Sequence, residues 1–353
     1  MKITIDLTPL YGRKKTGVEM YAIDLYKALL STTHKIIPIF HQENEIDNNE
    51  NAVIIPYTQR LLLENWKLSC IIRKIKPDIA LFPIFPPPLD IYFFCKSKIV
   101  PTIHDVAFLK YRNTINRAAK YYLTPKALLT FKKANAIITI SETVKKELQT
   151  YTDRPICNCG ENISAEYKDC TSKASTKYLK RWNLVPYNYI ISVSTIEPRK
   201  NFKYLLKVIK PLLEKKNMKL VLVGRKGWGK DEELRQLIKD SENHIIFTEY
   251  VSLDCLISLY HFAFSFALLS LDEGFGRTPF EAAACGCKKI ILSDIAIFHE
   301  TFEKNALFLP LDNVEICRNI LQSNFDKMPS IKNDFDIPFS AIEKKIHSLF
   351  SIC

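Results

Sequence analysis

The chain has 353 residues, of which 47% are hydrophobic and 25% charged, and a formal net charge of +12 at pH 7. This composition excludes a disordered chain and allows two ordinary hydrophobic cores. Ten cysteines are scattered along the chain and residues 1–6 predict a strand instead of an apolar leader, so we expect a cytoplasmic protein without a disulfide framework.

Strands alternate with helices along the first half, which predicts a parallel sheet. A helix is expected over residues 17–30, and a basic helical segment over 116–133 is expected to break near Pro125. Residues 83–89 are predicted to be extended because consecutive prolines exclude helix and sheet interior. The predicted strands cover residues 2–7, 36–40, 52–55, 79–82, 99–103 and 136–140.

The second half follows the same pattern after a linker that we expect between residues 158 and 177. Its longest apolar run, residues 255–271, contains His261 and three serines and barely reaches the roughly 17 residues of a membrane span. We therefore expect an amphipathic helix around 252–262 and then a buried strand. The predicted strands cover residues 189–193, 220–223, 245–248, 264–269 and 289–292.

A nine-residue motif in the second half carries the most chemical information. It reads Glu273-Gly-Phe-Gly-Arg-Thr-Pro-Phe-Glu281 and holds two of the nine glycines of the chain. A glycine turn before Pro279 and an alanine run predicts a helix start, whose unpaired amides can receive a diphosphate. The carboxylates fit sugar hydroxyls, unless they are solvated charges near a helix end. The motif indicates a nucleotide-sugar site.

Together with its surroundings this motif resembles the donor-binding half of a family 4 retaining glycosyltransferase. Ser194-Thr-Ile-Glu-Pro-Arg-Lys-Asn201 is similar to the phosphate-binding segment of the family's bacterial mannosyltransferase-like members, and Pro101-Thr-Ile-His-Asp105 and Thr139-Ile-Ser-Glu142 match its acceptor half. The resemblance implies the α/β GT-B fold, in which two doubly wound Rossmann-like domains face a central cleft and a C-terminal helix crosses back. Residues 1–165 with helix 336–353 would form the acceptor-side domain, and residues 166–335 the donor-binding domain.

The resemblance also implies roles for individual residues. Glu273 and His104 would lie beside the donor sugar, with Lys200 at the diphosphate, and we predict these three as the catalytic set. Glu281 would bind the ribose hydroxyls. No protein nucleophile is implied, because the donor phosphate is usually held to accept the acceptor proton. The other predicted donor-binding residues are Arg199, Gly17, Gly274, Phe275, Gly276, Arg277, Thr278, Arg225 and Lys226. His104 could instead be a hydrogen-bonded core residue.

Departures from the family pattern leave the donor open. Ser194 and Thr195 stand where many members carry Gly-Arg, so one phosphate-binding arginine is either missing or replaced by Arg225 or Lys226. No Asp-x-Asp with a metal role is evident, and Cys157-x-Cys159 is spaced more tightly than zinc ligands usually are. We expect neither a metal nor a cofactor beyond the nucleotide-sugar co-substrate.

The basic charge predicts a partner or a solvated lysine-rich face. Cationic and aromatic residues concentrate over 111–133, a composition suited to anionic lipid headgroups. No nucleic-acid module is recognisable, so peripheral contact with the inner face of the membrane is preferred over nucleic acid.

The favoured function is a metal-independent hexosyltransferase that moves mannose from GDP-mannose to a glycan or lipid-linked acceptor in surface polysaccharide or lipopolysaccharide synthesis. The alternatives are a GT-B nucleotide-sugar epimerase and a non-catalytic nucleotide-sugar-binding protein. The epimerase would need a richer set of acids and bases, and the binding protein would be expected to lack one of the two glutamates. An oxidoreductase is disfavoured because no Gly-x-Gly-x-x-Gly follows a strand.

Overall fold

A computed structural model describes residues 1–12, 17–41, 49–56, 66–111, 117–225, 231–332 and 335–353. The chain divides into two compact units. Unit 1 comprises Met1–Asn162 and Ser340–Cys353, and unit 2 comprises Ile163–Phe339. Both are α/β units built on parallel sheets.

Unit 1 is built on a five-stranded parallel sheet of order β3-β2-β1-β4-β5. A further parallel pair, β6 and β7, continues from its edge, because Thr102 just after β5 bridges to Ile138 in β6. The strands are β1 (Lys2–Asp6), β2 (Lys35–His41), β3 (Val53–Ile55), β4 (Ile79–Phe82), β5 (Lys98–Pro101), β6 (Ile137–Thr139) and β7 (Ile156–Asn158).

The helices of unit 1 include one that contradicts the sequence prediction. Helix α5 runs without interruption through Pro125, where a break was expected. Pro125 has no N–H to donate to the carbonyl four residues earlier in the helix. Because Pro125 is exposed, water can donate to that carbonyl instead. The helices are α1 (Gly17–Leu30), α2 (Leu68–Ile75), α3 (Ile91–Phe94), α4 (Ala107–Lys110), α5 (Arg117–Lys133) and α6 (Glu142–Leu148), with a 3-10 turn at Thr8–Leu10.

Unit 2 is built on a six-stranded parallel sheet of order β10-β9-β8-β11-β12-β13. The strands are β8 (Tyr189–Val193), β9 (Lys219–Val223), β10 (Ile245–Glu249), β11 (Ser265–Leu268), β12 (Ile290–Ser293) and β13 (Leu307–Leu309). The helices are α7 (Cys170–Lys173), α8 (Phe202–Lys216), α9 (Glu232–Lys239), α10 (Leu253–His261), α11 (Arg277–Ala284), α12 (Ala296–Phe302) and α13 (Val314–Asn324). 3-10 turns lie at Ala165–Tyr167, Thr176–Trp182 and Pro198–Lys200.

The sheet of unit 2 is covered on both faces, as the apolar strands require. Tyr189 and Ile191 belong to one buried cluster, whereas Ile190 between them belongs to another. Successive side chains of a strand point to opposite faces, so helices pack on each side of the sheet. This is the doubly wound architecture expected from the alternation of strands and helices.

The apolar run over residues 255–271 is part of this doubly wound architecture. It forms the end of α10 and the buried strand β11, as predicted. Across the described ranges of the chain, no helix is long and apolar enough to cross a membrane.

The final helix returns the chain to unit 1. Helix α14 (Ala341–Ile352) contacts α1 and β7, and its Ile342, Ile346 and Leu349 side chains are buried, as their spacing predicts. The carboxylate of Glu343 accepts two hydrogen bonds from the Asn162 amide, at 3.2 and 3.0 Å. The carbonyl oxygen of Asn162's side chain accepts from the Ile342 amide at 2.9 Å, which fixes the helix start.

Candidate active site

The order of the strands locates a ligand site in unit 2 before any side chain is considered. Strand β8 has β9 on one side and β11 on the other, so the crossover direction reverses between β8 and β11. Doubly wound sheets bind ligands outside the carboxyl ends of the strands at such a switch point. The segment with Lys200 follows β8 and the segment with Glu273 follows β11, so both predicted residues lie there.

A glycine shapes the first of these segments. Gly224 follows β9 with φ +141°, and a Cβ on it would lie 2.1 Å from the Ser194 carbonyl oxygen, so no other residue fits. The Ser194 amide donates to Val223 at 3.0 Å and the Ile196 amide donates to Arg225 at 3.2 Å. The backbone of the exposed Arg225 is thereby held beside residues 194–196, and its role at a phosphate stays a prediction.

Lys200 and Glu273 form a shielded ion pair at the switch point. The Lys200 Nζ lies 2.6 Å from Glu273 Oε1, and the two side chains are 17% and 8% exposed. The Ser270 hydroxyl donates to the same carboxylate oxygen at 2.7 Å. The Ser293 hydroxyl, at the end of β12, donates in turn to the Ser270 carbonyl at 2.7 Å. This chain of contacts fixes the Glu273 carboxylate in place.

Arg199 ties the two segments together. Its Nη1 donates to the Asp272 carbonyl at 3.0 Å and lies 3.6 Å from Glu273 Oε2. Its own carbonyl accepts from the Leu271 amide at 2.9 Å, and its Nη2 donates to Glu197 at 3.3 Å. Arg199 and Lys200 therefore place two positive charges against one buried carboxylate.

The electrostatics of Glu273 favour its charged form. Burial alone would raise the pKa of this carboxyl, but the charges of Lys200 and Arg199 and the hydrogen bonds from Lys200 and Ser270 together hold the pKa below its usual value. Glu273 is therefore an ionised, acceptor-only group at neutral pH. The alternative that it is a solvated charge at a helix end is wrong.

A second glycine positions the start of α11. Gly276 has φ +85°, and a Cβ on it would lie 2.6 Å from the Phe298 ring. It precedes Arg277 directly, so the first amides of α11, those of Arg277 and Thr278, follow a turn that only glycine permits. Pro279 occupies the third helical position, where its missing N–H leaves no unpaired donor. Gly274 is buried and Phe275 stacks on Phe280 with ring centroids 5.2 Å apart.

Glu281 lies one helical turn beyond Arg277 in a different environment. Its Oε1 is 3.9 Å from Arg277 Nε, and its Oε2 accepts from the Tyr260 hydroxyl at 3.3 Å. Burial raises the pKa of Glu281, and the Arg277 charge with the hydroxyls of Tyr260 and Tyr167 offsets that rise only in part. Glu273 and Glu281 thus have pKa values shifted in opposite directions, because Glu273 has two cations at 2.6 and 3.6 Å whereas the Arg277 charge lies 3.9 Å from Glu281.

In unit 1, His104 and Gly17 lie at the carboxyl edge of the sheet. His104 follows β5 and its Nε2 hydrogen-bonds the Pro83 carbonyl, which follows β4, at 2.9 Å. Its ring meets the buried Tyr21 ring edge-on, with centroids 4.8 Å apart. Tyr21 lies one turn after Gly17, so α1 and the loop of His104 are in contact. The half-buried His104 is both hydrogen-bonded and partly open.

The structure therefore brings Lys200, Arg199, Glu273 and residues 274–278 together at one edge of unit 2, with Glu281 on the next turn of α11. Lys226 lies outside the described residues. Sequence reasoning missed Tyr260, Tyr167 and Ser270, because nothing in their local sequence distinguishes them from core residues. It also did not predict that Arg277 has a charge partner in Glu281.

Comparisons with known proteins agree with this geometry. Residues 15–157 match the family model "Glycosyltransferase Family 4" and residues 175–315 match "Glycosyl transferases group 1". The chain belongs to glycosyltransferase family 4. The two matches fall on the two units separately, in the order expected for a GT-B glycosyltransferase.

Individual relatives are similar to this glycosyltransferase at modest identity. The chain is 25% identical to O-antigen chain mannosyltransferase B of Escherichia coli over 87% of each protein. It is 26% identical to the O-antigen chain mannosyltransferase RfbU of Salmonella typhimurium over 67% of this chain and 63% of that protein. The crystal structure of Anabaena HepE with UDP and glucose superposes with a TM-score of 0.73 at 16% identity, covering both chains completely. That likeness shows the GT-B fold.

Proposed function

We propose that this glycosyltransferase moves mannose, with retention of configuration, from GDP-mannose to a glycan or lipid-linked acceptor in the synthesis of a surface polysaccharide or lipopolysaccharide. The observation that carries the proposal is the Lys200–Glu273 pair at the switch point of unit 2. The two O-antigen mannosyltransferases among the relatives support the choice of sugar and glycan.

In the proposed reaction Lys200 and Arg199 stabilise the departing nucleoside diphosphate. Negative charge develops on the phosphate oxygens as the glycosidic bond breaks, and preorganised cations are effective where charge develops. The first amides of α11, at Arg277 and Thr278, add the partial positive charge of a helix start. We propose that this charge comes from the protein and not from a metal ion.

In this proposal the two glutamates bind different parts of the donor. Glu273, kept ionised by its neighbours, accepts hydrogen bonds from hydroxyls of the donor sugar, beside the Phe275 and Gly276 amides. Glu281 accepts from the ribose hydroxyls of the nucleoside. A hydroxyl can replace the Tyr260 contact at Glu281, since that hydrogen bond is long at 3.3 Å.

Retention follows if the acceptor attacks from the face that the diphosphate leaves. The bond between the anomeric carbon and the phosphate oxygen breaks, the acceptor oxygen forms the new bond on the same face, and its proton passes to a phosphate oxygen. No protein nucleophile is needed. The roles predicted for His104 beside the sugar and Gly17 beside the phosphates remain predictions.

A panel of nucleotide-sugars tests the proposal. A ligand that binds only the folded state raises the melting temperature, so GDP-mannose should stabilise the protein more than UDP-glucose, UDP-galactose or ADP-glucose. Slow hydrolysis of GDP-mannose, followed by the proton spectrum of the released mannose, should show the α anomer first. No shift with any nucleotide or nucleotide-sugar would contradict the transferase proposal, and a shift with UDP-sugars alone would contradict the choice of GDP-mannose.

We further propose that the enzyme works in the cytoplasm in peripheral contact with the inner face of the membrane. Its formal charge of +12 supports this, because cationic surfaces are attracted to anionic lipid headgroups.

A further inference from the structure

A cavity of about 890 Å³ lies at the edge of unit 1 opposite to its candidate site residues. Its walls come from residues that precede strands: Met1 before β1, Lys76–Asp78 before β4, and Lys96 and Ser97 before β5. In a parallel sheet the amino ends of all strands share one edge. His104 and Gly17 follow strands and lie at the other edge, so the cavity is separate from them.

The cavity is lined by four cationic side chains, those of Arg73, Lys76, Lys96 and Lys98. The three lysines are exposed, and in the part of the chain that the structure describes none of them has a carboxylate within ion-pair distance. The lining also includes the side-chain carboxylate of Asp78, which accepts from the Lys2 amide at 2.7 Å, and the C-terminal residue Cys353. Uncompensated cations around a concave space focus a positive potential into it, which attracts an anion.

Two neighbouring aromatic side chains are exposed beside this cavity, with ring centroids 6.4 Å apart. Phe93 and Phe94 end the short helix α3 and are 58% and 63% exposed, although each is a large apolar side chain. Phe94 also lines the cavity. The Arg73 guanidinium lies 5.8 Å from the Phe94 ring centroid and the Lys133 ammonium 5.2 Å from that of Phe93. Cations and exposed aromatic rings thus occupy one continuous surface.

We propose that this surface is a docking site for an anionic phospholipid membrane. The phosphate of a lipid headgroup enters the cavity between Lys76, Lys96 and Lys98, and Phe93 and Phe94 insert at the boundary between headgroups and acyl chains. A free phosphate compound satisfies the lysines but leaves the two rings in water. A lipid satisfies both, because interfacial surfaces combine basic residues with inserted apolar side chains.

Within unit 1 the surface lies away from the predicted site residues. It occupies the amino edge of the sheet, whereas His104 and Gly17 follow strands and occupy the carboxyl edge. The inference deepens the membrane contact proposed above. Vesicle binding requires no turnover, so its failure and a failure of the transferase proposal are separate results.

Cosedimentation of the full chain with lipid vesicles tests the inference. We expect binding to phosphatidylcholine vesicles that contain phosphatidylglycerol and none to pure phosphatidylcholine. The triple variant Lys76→Gln, Lys96→Gln, Lys98→Gln should lower the partition coefficient roughly a hundredfold, since each basic residue near a membrane contributes roughly a factor of five. The double variant Phe93→Ser, Phe94→Ser should abolish the part of the binding that survives high salt.

Matched control variants separate this surface from general charge and general hydrophobicity. The first control removes three exposed lysines of unit 2, in the triple variant Lys288→Gln, Lys304→Gln, Lys327→Gln. The second removes two exposed apolar side chains of unit 2, in the double variant Val185→Ser, Tyr250→Ser. Both controls should bind like the wild type. All variants should keep the wild-type melting temperature and donor hydrolysis.

Three outcomes would overturn the inference. They are absence of wild-type binding to anionic vesicles, an equal loss in the control variants, and displacement from vesicles by glycerol 1-phosphate at the concentration of the lipid phosphate, which would make free phosphate the ligand. Depth-dependent quenching gives a second readout. Brominated phosphatidylglycerol should quench a tryptophan at Phe93→Trp, and Val185→Trp should add no quenching over the wild type.

Discussion

The ammonium of Lys200 lies 2.6 Å from a carboxylate oxygen of Glu273, although 73 positions separate the two residues. Each belongs to a motif with its own predicted ligand, the diphosphate for Lys200 and the donor sugar for Glu273. Their contact means that each one compensates the charge of the other. In the proposed reaction, donor binding therefore competes for Lys200 with the Glu273 carboxylate.

Replacing Glu273 by glutamine should lower both stability and turnover. The variant leaves the charges of Lys200 and Arg199 shielded from water but without a carboxylate partner. Removing one partner of a buried ion pair typically lowers the free energy of unfolding by roughly 3 to 5 kcal/mol. Denaturant unfolding and transfer assays measure the two effects. Glu197→Gln is the matched control, because Glu197 contacts only the Arg199 end of the same cluster and is 41% exposed.

The same pair predicts how stability depends on pH. The folded-state pKa of Glu273 is lowered. Its ionised carboxylate therefore stabilises the folded protein above the unfolded-state pKa of about 4.3, and this stabilisation is lost as the pH falls through the folded-state pKa. The difference in unfolding free energy between wild type and Glu273→Gln should thus be full at pH 7 and shrink at acid pH. A difference that stays constant down to pH 3 would show that the charge of Glu273 is not what stabilises unit 2.

Lys200→Ala should reduce turnover more than donor affinity, because its charge acts on the departing diphosphate. Lys200→Arg should rescue little, since a planar guanidinium differs from an ammonium in shape and hydration. Lys203→Ala is the control one turn further along α8, where Lys203 pairs with Asp231 and Glu233. Wild-type turnover in Lys200→Ala would show that another cation stabilises the departing diphosphate, and Arg225 would be the next residue to test.

Glu281→Gln should weaken nucleotide binding while stabilising the free protein. A hydrogen bond to a charged group contributes roughly 1.5 to 3 kcal/mol, so titration calorimetry should show a dissociation constant roughly 10 to 150 times larger. The folded-state pKa of Glu281 is raised, so ionising it opposes folding as the pH rises between the unfolded and folded values. The glutamine variant should therefore melt higher than the wild type at pH 7. Unchanged affinity would remove Glu281 from the nucleoside site.

Loss of the last helix should destabilise unit 1 although every predicted site residue is retained. Leu349→Ala removes a fully buried side chain from α14, and such changes cost roughly 2 to 5 kcal/mol. Lys344→Ala, on the exposed face of the same helix, should have little effect. Truncation after Asp336 should be more severe than either and should lower activity. Normal melting and turnover in the truncated protein would show that α14 contributes nothing to unit 1.

Local sequence predicted most of the secondary structure, for identifiable reasons. Residues 17–30 form α1 and residues 189–193 form β8 as predicted, since their apolar patterns and bounding turn residues are properties of the neighbouring sequence. Strands β7 and β13 were missed. Each is a three-residue strand because a neighbouring strand pairs with it, and that pairing is not a property of the local sequence.

The sequence by itself determined the alternation of strands and helices, the glycine turn before α11 and the family to which the chain belongs. Only the tertiary structure decided in which direction the pKa of each glutamate shifts, because the Lys200–Glu273 contact and the Tyr260–Glu281 contact join residues from different elements. It also decided that Lys76, Lys96 and Lys98 surround one cavity. A pattern within a segment reports on local backbone preference, whereas charge, burial and pKa depend on segments that meet only in the folded chain.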